Sequence, residues 1–598
     1  MNMLQSFLSE RTFQVSVGGH MSRKHQLENG VPQGSVLSVT LFLVAMQPIF
    51  RVIPRGVDTL LYADDILLVV RGAKSEGLHR KLQAAVKAVD KWTKSVGFSI
   101  SASKSYTFYC SPNARREPER NIVIDRVSIP KTNRLRVLGV TLDRTLSFKP
   151  HCQMVKKACE PRLRILQMIG AKLPRGDRKS LLQVGSALVT AKLMYGIGIV
   201  SRGGPVTLQN LAPAYHKMVR FASGAFVTSP IQSIMAEAGT LPFELLAAQS
   251  IARIAIRILA KNQNNNSLPL IRRASNRLNE LTNSALPAVG QLVRQTDRPW
   301  HTRKPSILWD VKKCIRAGDP PEKVRPVVQQ LLSTRFHRST VVYTDGSKHE
   351  NTVGAAFHNN GLAGKYSLPK ECSVFSAEAY AIKMAVSIPN ISNELIILTD
   401  SASCLQALEA GTSKHPWIQE VEQISRNKSV RFCWIPGHAG IHGNNEADRL
   451  ANMARTQPPI DVPVPGDDAL RMVIQNIRQR WNDQWFATRD SKLREVKDDN
   501  THKWTERGST FDQRVLTRLR IGHTRLTHTY LLKKEAPPSC CGTVLDVRHV
   551  ILQCKNYERQ RQENNIDTTS LRDALGNSEE QTTNMLNFLR QTGLYRKI

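Results

Sequence analysis

The chain is poor in features that mark whole classes of protein. Its 598 residues include only 10 cysteines, most of them scattered, which argues against the disulfide framework of small secreted domains. The opening stretch MNMLQSFLSERTFQV carries charge early and has no apolar core, so we expect no secretory signal. The most apolar stretch, residues 184–200, is short and contains Lys192, which argues against a membrane span. These absences predict an intracellular protein.

Acidic residues are also scarce. Asp and Glu total 49 against 84 Lys and Arg, which gives a formal net charge of +35. Such an excess favours a nucleic-acid partner, because each contact to a phosphate releases counterions. A solvated basic surface explains the same numbers, so charge alone does not decide between the two. With 41% hydrophobic residues, the chain is expected to fold into several globular domains rather than a disordered basic tail.

Patterning divides the chain into four regions of a multidomain α/β protein. Residues 1–145 mix strands and helices, and residues 146–335 are mostly helical and basic. Residues 336–456 are a compact α/β segment with strands predicted at VVYTD, ELIILTD and VRFCWIP. Residues 457–598 form a basic helical tail, which the Pro-rich stretch TQPPIDVPVPG (456–466) joins as a predicted linker.

Helical periodicity is clearest in two segments. GLHRKLQAAVKAVDKWTKSVG, residues 77–97, places its apolar residues on one face and stops at Gly97. ELLAAQSIARIAIRILAKN, residues 244–262, has the spacing of an amphipathic helix. Both are predicted to pack an apolar face against a core.

Two adjacent carboxylates, Asp64 and Asp65, stand between apolar strands in LLYADDILLVV, residues 60–70. Burial of an unpaired carboxylate is costly, so two at a hairpin tip suggest a cation. A solvated acidic turn is the alternative, and for this motif taken alone it is the better one.

The sequence motifs on either side of this hairpin favour a functional site over a solvated turn. ENGVPQGSVLSVTLF (28–42), the YADD hairpin, GFSISASKS with Lys104, and RLRVLGVTLD (134–143) follow one another in the order found in the palm of reverse transcriptases. The resemblance is to the non-LTR (LINE-type) retrotransposon group, although Val39 stands where that family usually has Pro. It implies a partial reverse-transcriptase palm at 1–145 and a helical thumb-like or connection-like region at 146–335.

The same resemblance implies that the polymerase site is incomplete. In this family an essential further aspartate lies on a strand before the VPQGS block. Here the carboxylates before that block are Glu10 and Glu28, and neither matches the family motif. Two-metal phosphoryl transfer needs carboxylates from more than one strand. We therefore expect Asp64 and Asp65 to be vestigial and reverse-transcriptase activity to be absent from this chain.

A second set of carboxylates lies in the α/β segment. Asp345 and Asp400 are predicted at the C-terminal ends of strands, Glu378 on a helix, and Asp448 at the start of another helix. Such positions can converge at one edge of an α/β sheet. Four converging carboxylates repel one another, and divalent cations relieve the repulsion. Hard oxygen ligands favour Mg²⁺ or Mn²⁺.

The motifs TDGS, SAEAYAI, LTDSAS and WIPGHAGIHGNNEADRLA, taken in order, resemble a type 1 ribonuclease H with a mixed sheet. The resemblance implies that Asp345 and Asp400 are the principal metal ligands and that Glu378 and Asp448 complete the sites. It also implies metal-dependent endonucleolytic cleavage of the RNA strand of an RNA–DNA hybrid. His438 would aid proton movement or product departure, or else only pack its loop.

Selectivity for RNA would come from contacts to 2′-hydroxyls across the minor groove. Ser347 and the backbone near Gly346 are candidates for such contacts, and a plain surface placement explains them equally well.

The tail contains Cys540, Cys541, His549 and Cys554 within PPSCCGTVLDVRHVILQC. Three thiolates and an imidazole can form a tetrahedral Zn²⁺ site. With LTRLRIGHTRLTHTYLL just before it, the segment resembles the C-terminal Cys-His segment of the same retrotransposon polyproteins. The departure is the adjacent cysteine pair, since the family usually separates the two by one or two residues. A reduced-thiol loop without metal stays open.

Two functions are therefore weighed. The first is a ribonuclease H whose partners are RNA–DNA hybrids and the RNA of the element. The second is a decayed or domesticated remnant that binds nucleic acid without cleaving it. A DNA-cutting transposase or resolvase on the same fold is less favoured, because Glu378 and the GHAGIHG loop fit ribonuclease H better.

Overall fold

The computed structural model describes most of the chain. The described residues are 2–111, 118–172, 178–261, 292, 304–315, 319–389, 391, 393–500, 504–505 and 508–598. They divide into two compact units, residues 1–151 and residues 152–598, and each is described by itself.

The first unit combines short strands with a few helices. Its helices are Asn2–Leu8, Val36–Met46, Ile49–Val52 and Ser75–Ser95, with a 3₁₀ turn at Ala102–Lys104. Its strands pair two by two and are Thr12–Phe13, Ser16–Val17, His20–Met21, His25–Gln26, Val57–Tyr62, Asp65–Val70, Thr107–Phe108, Val123–Ile124, Val127–Ser128, Lys131–Thr132, Arg134–Val137 and Val140–Asp143.

The helix predicted over residues 77–97 is confirmed. It spans Ser75–Ser95, and Gly97 follows it with a left-handed φ of +79°. Glycine adopts this conformation without a β-carbon penalty, which is why it ends helices so often. The apolar face buries Val86 and Val89 in two small cores of this unit.

The second unit opens with a helical region. Within its described residues no single helix is long and apolar enough to cross a membrane, and Arg178–Met194 with Ile197–Gly203 passes that test only as a pair bent by 44°. The predicted amphipathic helix is confirmed as Phe243–Lys261. The helix Lys149–Lys172 begins in the last residues of the first unit and continues into the second. The elements that follow it are Arg178–Gly185, a π-helical turn Ser186–Thr190, Ala191–Met194, Ile197–Val200, a 3₁₀ turn Ser201–Gly203, Pro205–Gln209, Ala212–Ser223, Ile231–Ala238 and Phe243–Lys261.

A six-stranded mixed sheet follows, as predicted for the α/β segment. In spatial order its strands are Ser306–Leu308, Val430–Trp434, Leu395–Thr399, Thr340–His349, Thr352–Asn359 and Leu362–Leu368. The first four in this order run parallel, and the last two continue as antiparallel hairpins. The helices around the sheet are Asp310–Cys314, Pro321–Arg335, Val374–Val386, Ala402–Ala410, Pro416–Arg426 and His442–Ala454.

Helices bury both faces of this sheet. Ile397 packs in one core with the helix Val374–Val386. Its neighbour Ile396 packs in another core with Val328 of the helix Pro321–Arg335. Alternate strand residues point to opposite faces, so the strand Leu395–Thr399 is apolar from Leu395 to Leu398.

The tail is helical and packs against the rest of the unit. Ile460 and Val462 of the Pro-rich segment pack against the core of the α/β domain, and Ile460 N–H donates to the Ser367 carbonyl at 2.8 Å. The segment treated above as a linker therefore lies along the domain. The tail elements are Gly466–Ala487, Leu493–Val496, Thr510–Ile521, Arg525–His528, Tyr530–Lys533, strands Ser539–Cys540 and Thr543–Val544, a π-helical turn His549–Gln553, a 3₁₀ turn Lys555–Tyr557, Glu558–Glu563, Leu571–Leu575 and Glu579–Gln591.

Candidate metal-dependent active site

Three of the four predicted carboxylates meet at one place. Asp345 lies on the strand Thr340–His349, Glu378 on the helix Val374–Val386, and Asp400 directly after the strand Leu395–Thr399. One ligand oxygen from each of the three lies within 4.8 Å of the others. The convergence predicted from the motifs is therefore present in the structure.

Asp448 lies beside this group rather than within it. Its carboxylate neighbours Asp345 closely enough for a hydrogen bond and a charge interaction. Asn452 Nδ2 donates to Asp448 Oδ1 at 2.8 Å, and Ser347 Oγ donates to Asn452 Oδ1 at 2.7 Å. Ser347, predicted as a contributor to RNA contacts, is thus already linked to the site through Asn452.

Two positional predictions were wrong in detail. Asp345 does not end its strand, because the strand continues to His349 and Asp345 pairs with Ala356 of the following hairpin. Its parallel pairing with the strand Leu395–Thr399 does stop one residue before Asp345, at Thr344. Asp448 lies in the middle of the helix His442–Ala454 rather than at its start, because the helix begins within the glycine- and asparagine-rich stretch.

Burial and mutual repulsion govern the acidity of the group. Burial, followed by the charges of Asp400 and Asp448, raises the pKa of Asp345 to about 7. Burial also raises the pKa of Glu378 well above its usual range, with further contributions from Asp345 and Asp400. The pKa of Asp400 is raised by burial as well. Without a counter-charge, Asp345 takes up a proton near neutral pH, and burial shifts the pKa of Glu378 and Asp400 in the same direction.

The donor set suits a hard divalent cation. Glu378 Oε2 is buried and has no hydrogen-bond partner among the described residues, and an unsatisfied buried oxygen is costly. Asp345 and Asp400 point oxygens to the same place. Clustered carboxylate oxygens without sulfur or imidazole are the ligands that Mg²⁺ and Mn²⁺ prefer.

Asn444 and Gly437 support Asp400, and sequence reasoning missed both. The Asn444 side chain, buried at 3% exposure, donates a hydrogen bond to Asp400 and favours its charged form. A β-carbon on Gly437 would lie 2.5 Å from Asp400 Oδ2. Asn444 precedes Asp448 by one helical turn, which was a usable signal for a shared face.

His438 lies in the loop between the strand Val430–Trp434 and the helix His442–Ala454. Its backbone has a φ of +54°, which is uncommon for a residue with a β-carbon. Its charge acts on Asp400 and lowers the pKa of that carboxyl, against the larger effect of burial. The loop therefore presents an imidazole beside the carboxylate group.

Asp64 and Asp65 are exposed at the tip of the hairpin between Val57–Tyr62 and Asp65–Val70. In the part of the chain that the structure describes, they belong to no group of three Asp, Glu, His or Cys side chains at metal-binding distance. This differs from the arrangement at Asp345.

The tail cysteines form a second cluster. Cys540, Cys541, His549 and Cys554 have ligand atoms that all lie within 4.8 Å of one another. The three sulfurs are 3.5, 3.7 and 3.8 Å apart. In a tetrahedral Zn²⁺ site with Zn–S bonds of about 2.3 Å, sulfurs are separated by about 3.8 Å.

Two unusual backbone features assemble this cluster. Cys541 and Gly542 form a two-residue hairpin turn with φ values of +54° and +76°, which brings the adjacent Cys540 and Cys541 sulfurs to one side. The π-helical turn His549–Gln553 closes with Cys554 N–H donating to the His549 carbonyl at 2.7 Å. In an α-helix, residues five apart would point about 140° away from each other.

Comparisons with known proteins agree with this organisation. Residues 1–142 match the family model for reverse transcriptase (RNA-dependent DNA polymerase), and residues 337–456 match the model for RNase H. The RNA-directed DNA polymerase from mobile element jockey of Drosophila melanogaster is 28% identical over 232 residues, which cover 37% of this chain and 25% of that protein.

Two further relatives also match part of this chain. The probable RNA-directed DNA polymerase from transposon X-element of Drosophila melanogaster is 24% identical over 226 residues, again 37% of this chain and 25% of the relative. The Pol polyprotein of Equine infectious anemia virus (strain Wyoming) is 31% identical over 162 residues, 25% of this chain and 14% of that protein. The matched region spans about a quarter of the Drosophila relatives. This chain is thus related to the polyproteins of non-LTR, LINE-type retrotransposons and carries a reverse-transcriptase segment followed by a ribonuclease H domain.

Proposed function

We propose that the chain is a metal-dependent ribonuclease H that cleaves the RNA strand of RNA–DNA hybrids. The observation that carries this proposal is the convergence of Asp345, Glu378 and Asp400, with Asp448 beside them. Asp345, Asp400 and Glu378 would hold the cation, and Asp448 would share it. A bound Mg²⁺ or Mn²⁺ supplies an activated water and charge neutralisation at the phosphodiester.

The protein groups have separate tasks in this reaction. The buried carboxylates would bind and orient the cation, which would take the place of the protons that they hold without it. Asn444 and Gly437 hold the Asp400 carboxylate in place. His438, on its loop beside the group, would aid proton movement or product departure. By the family resemblance, water would add to the phosphorus as its bond to O3′ breaks, which would leave a 5′-phosphate and a 3′-hydroxyl.

A non-catalytic nucleic-acid-binding remnant is the second candidate. The exposed, two-carboxylate hairpin at Asp64 and Asp65 favours it for the first unit, and we propose that this unit does not polymerise DNA in the present chain. We also propose that the helical region 146–335 corresponds to a thumb or connection. The assembled carboxylates in the second unit favour catalysis there.

The Cys-His cluster is proposed to bind Zn²⁺ and stabilise the tail. His549 Nδ1 lies 3.2 Å from Thr543 Oγ1, whereas Nε2 is buried and has no hydrogen-bond partner in the described part of the chain. That nitrogen is free to complete a Cys₃His site, with its other ring nitrogen fixed by Thr543.

Hybrid cleavage by the purified full chain tests the main proposal. Wild type is expected to cleave labelled RNA–DNA hybrid with Mg²⁺ or Mn²⁺, and Asp345→Asn to lose at least about 100-fold in rate, because it removes a charged ligand. Asp461→Asn makes the same chemical change at an exposed position and should cleave like wild type. Equal rates for wild type and Asp345→Asn would refute the enzyme proposal.

Primer extension on the same preparation tests the first unit. No DNA synthesis is expected from wild type, and Asp64→Asn should leave the result unchanged. Robust synthesis that Asp64→Asn abolishes would show that the hairpin is part of a working polymerase site.

A further inference from the structure

A buried carboxylate from outside the segment that matches RNase H lies at the N-terminus of the helix carrying Glu378. Asp468 is in the tail helix Gly466–Ala487 and is 2% exposed. Its Oδ2 accepts the Ser373 backbone N–H at 3.1 Å and the Ser376 hydroxyl. The family match ends at residue 456, so this contact comes from the region beyond it.

Asp468 adds to an N-cap that the helix already has. Ser373 is the N-cap residue, and its Oγ accepts the Ser376 N–H at 3.2 Å. The Ser373 N–H points outward from the helix, and Asp468 satisfies it. A carboxylate at this end is favourable, because the first-turn N–H groups and the helix dipole are positive there.

The tail helix is itself held in place. Arg471 Nη1 donates to Asp468 Oδ1 at 3.0 Å. A β-carbon on Gly466 would lie 3.3 Å from Ala260 Cβ and 3.7 Å from Ile256 Cγ2, so the helix begins in close contact with Phe243–Lys261. The Asp468 carboxylate is therefore held by Arg471 of its own helix, and that helix also packs against Phe243–Lys261.

Ser376 joins Asp468 to one more buried group. The Ser376 hydroxyl lies 2.9 Å from His415 Nε2, and Ser376 is fully buried. The carboxylate contacts the serine and not the histidine, and no substrate can reach the hydroxyl. This is a structural network and not a nucleophilic triad.

The Glu378 helix also contacts the strand that carries Asp345. A β-carbon on Gly346 would lie 2.5 Å from the Glu378 backbone nitrogen, so the strand that carries Asp345 touches the helix there. Asp468 holds the same helix at Ser376, two residues before Glu378. The position of Glu378 relative to Asp345 therefore depends on contacts at both points.

We propose that Asp468 is a positioning residue for the metal site and that the tail helix sets the placement of Glu378. The proposal rests on the ribonuclease H function proposed above. Groups that orient metal ligands change metal affinity or activity by about 10- to 100-fold when they are removed. The tail would thus be part of the working nuclease and not an appended binding module.

The test compares Asp468→Ala, Asp468→Asn and the control Asp467→Ala in the full chain. Asp467 is the exposed neighbour on the same helix turn. Two quantities are measured, namely the Mg²⁺ concentration for half-maximal thermal stabilisation and the kcat and KM for hybrid cleavage. Asp468→Ala should raise the Mg²⁺ midpoint about tenfold and lower kcat about tenfold, with KM within about twofold.

Asp468→Asn keeps an acceptor for Ser373 and Ser376 and should recover part of the loss. Asp467→Ala should match wild type. If Asp468→Ala does not fold, Ser376→Ala replaces it. This variant removes the hydroxyl that contacts Asp468, His415 and Ser373 but keeps the Ser373 N–H contact to Asp468, and it should also raise the Mg²⁺ midpoint.

The proposal is overturned if the Asp468 and Ser376 variants lower Tm but leave the Mg²⁺ midpoint unchanged. A wild type that binds Mg²⁺ but never cleaves hybrid would instead refute the proposed function, since the Mg²⁺ midpoints are measured without substrate.

Discussion

Gly437 leaves room for Asp400. A β-carbon at position 437 would lie 2.5 Å from Asp400 Oδ2, closer than any van der Waals contact, so a larger residue must displace the carboxylate. Gly437→Ala is expected to lower kcat for hybrid cleavage about 10- to 100-fold while the chain stays folded. The measurement is steady-state cleavage together with Tm.

Gly361→Ala is the matched control, because a β-carbon there meets nothing within 4 Å. It should cleave like wild type. Full activity of Gly437→Ala would mean that Asp400 tolerates displacement and is not a principal ligand.

The sequence predicted the carboxylates of the candidate metal site better than the residues that hold them in place. Asp345, Glu378 and Asp400 were identified because each stands in a motif of a known family, on an element whose type the local periodicity gives. Gly437 was missed because its contact to Asp400 joins residues far apart in the chain. The end of the first strand was misplaced because the hairpin to Thr352–Asn359 extends it beyond Asp345.

Asp468 lay beyond prediction for a physical reason. It follows Glu378 by some 90 residues, beyond a Pro-rich stretch whose composition is typical of linkers. Composition reports the conformational preference of that stretch, but Ile460 and Val462 bury apolar side chains against the α/β core. Tertiary packing overrides the local preference.

The metal-free protein should lose stability as pH rises through neutrality. Burial and the neighbouring carboxylates raise the pKa of Asp345 from an ordinary 3.8 to about 7. Between pH 3.8 and about 7, the folded state therefore keeps a proton on Asp345 that the unfolded state has released. The stabilisation from this proton is full below pH 4 and is lost as the pH passes 7. Mg²⁺ replaces the proton and should raise Tm more at pH 8 than at pH 6.

Asp345→Asn isolates this effect from other titrations. His415 acts in the opposite sense, because burial lowers its pKa to about 4, and its contribution is lost as pH falls below 6.5. In EDTA, the Tm of wild type should fall relative to that of Asp345→Asn between pH 5.5 and 8. Parallel Tm curves would contradict the assignment of the titration to Asp345.

Glu237 joins the helical region to the tail through buried charges. Its side chain is fully buried, and its carboxylate lies 3.1 Å from Arg178 Nη1 and 3.9 Å from Arg520 Nη1. The Trp504 indole N–H donates to the other oxygen. Glu237→Gln removes the negative charge that these two largely buried guanidinium groups share, and we expect it to lower the free energy of unfolding by about 3–5 kcal/mol.

Glu495→Gln provides the comparison for urea denaturation followed by circular dichroism. Glu495 pairs with Arg548 at 2.7 Å on the surface, and loss of such a pair is worth under about 1 kcal/mol. If Glu237→Gln lowered the free energy of unfolding as little as Glu495→Gln does, the buried guanidinium groups would have to be solvated or paired elsewhere.

The Cys-His cluster should retain one Zn²⁺ per chain after purification. Its three sulfurs already lie at nearly tetrahedral separations, and Cys541 and Gly542 adopt a positive-φ turn that costs about 1–2 kcal/mol at a residue with a β-carbon. Metal binding offsets that strain, because four ligands of the folded tail share one ion.

Cys541→Ser and Cys554→Ser should each lower the metal content and the Tm of the tail, whereas Cys110→Ser, an exposed cysteine outside the cluster, should change neither. Cobalt substitution gives the direct measurement, since thiolate ligands produce a charge-transfer band that should weaken in Cys541→Ser. A wild-type chain that takes up neither Zn²⁺ nor Co²⁺ would leave the hairpin turn as a reduced-thiol loop and refute the zinc site.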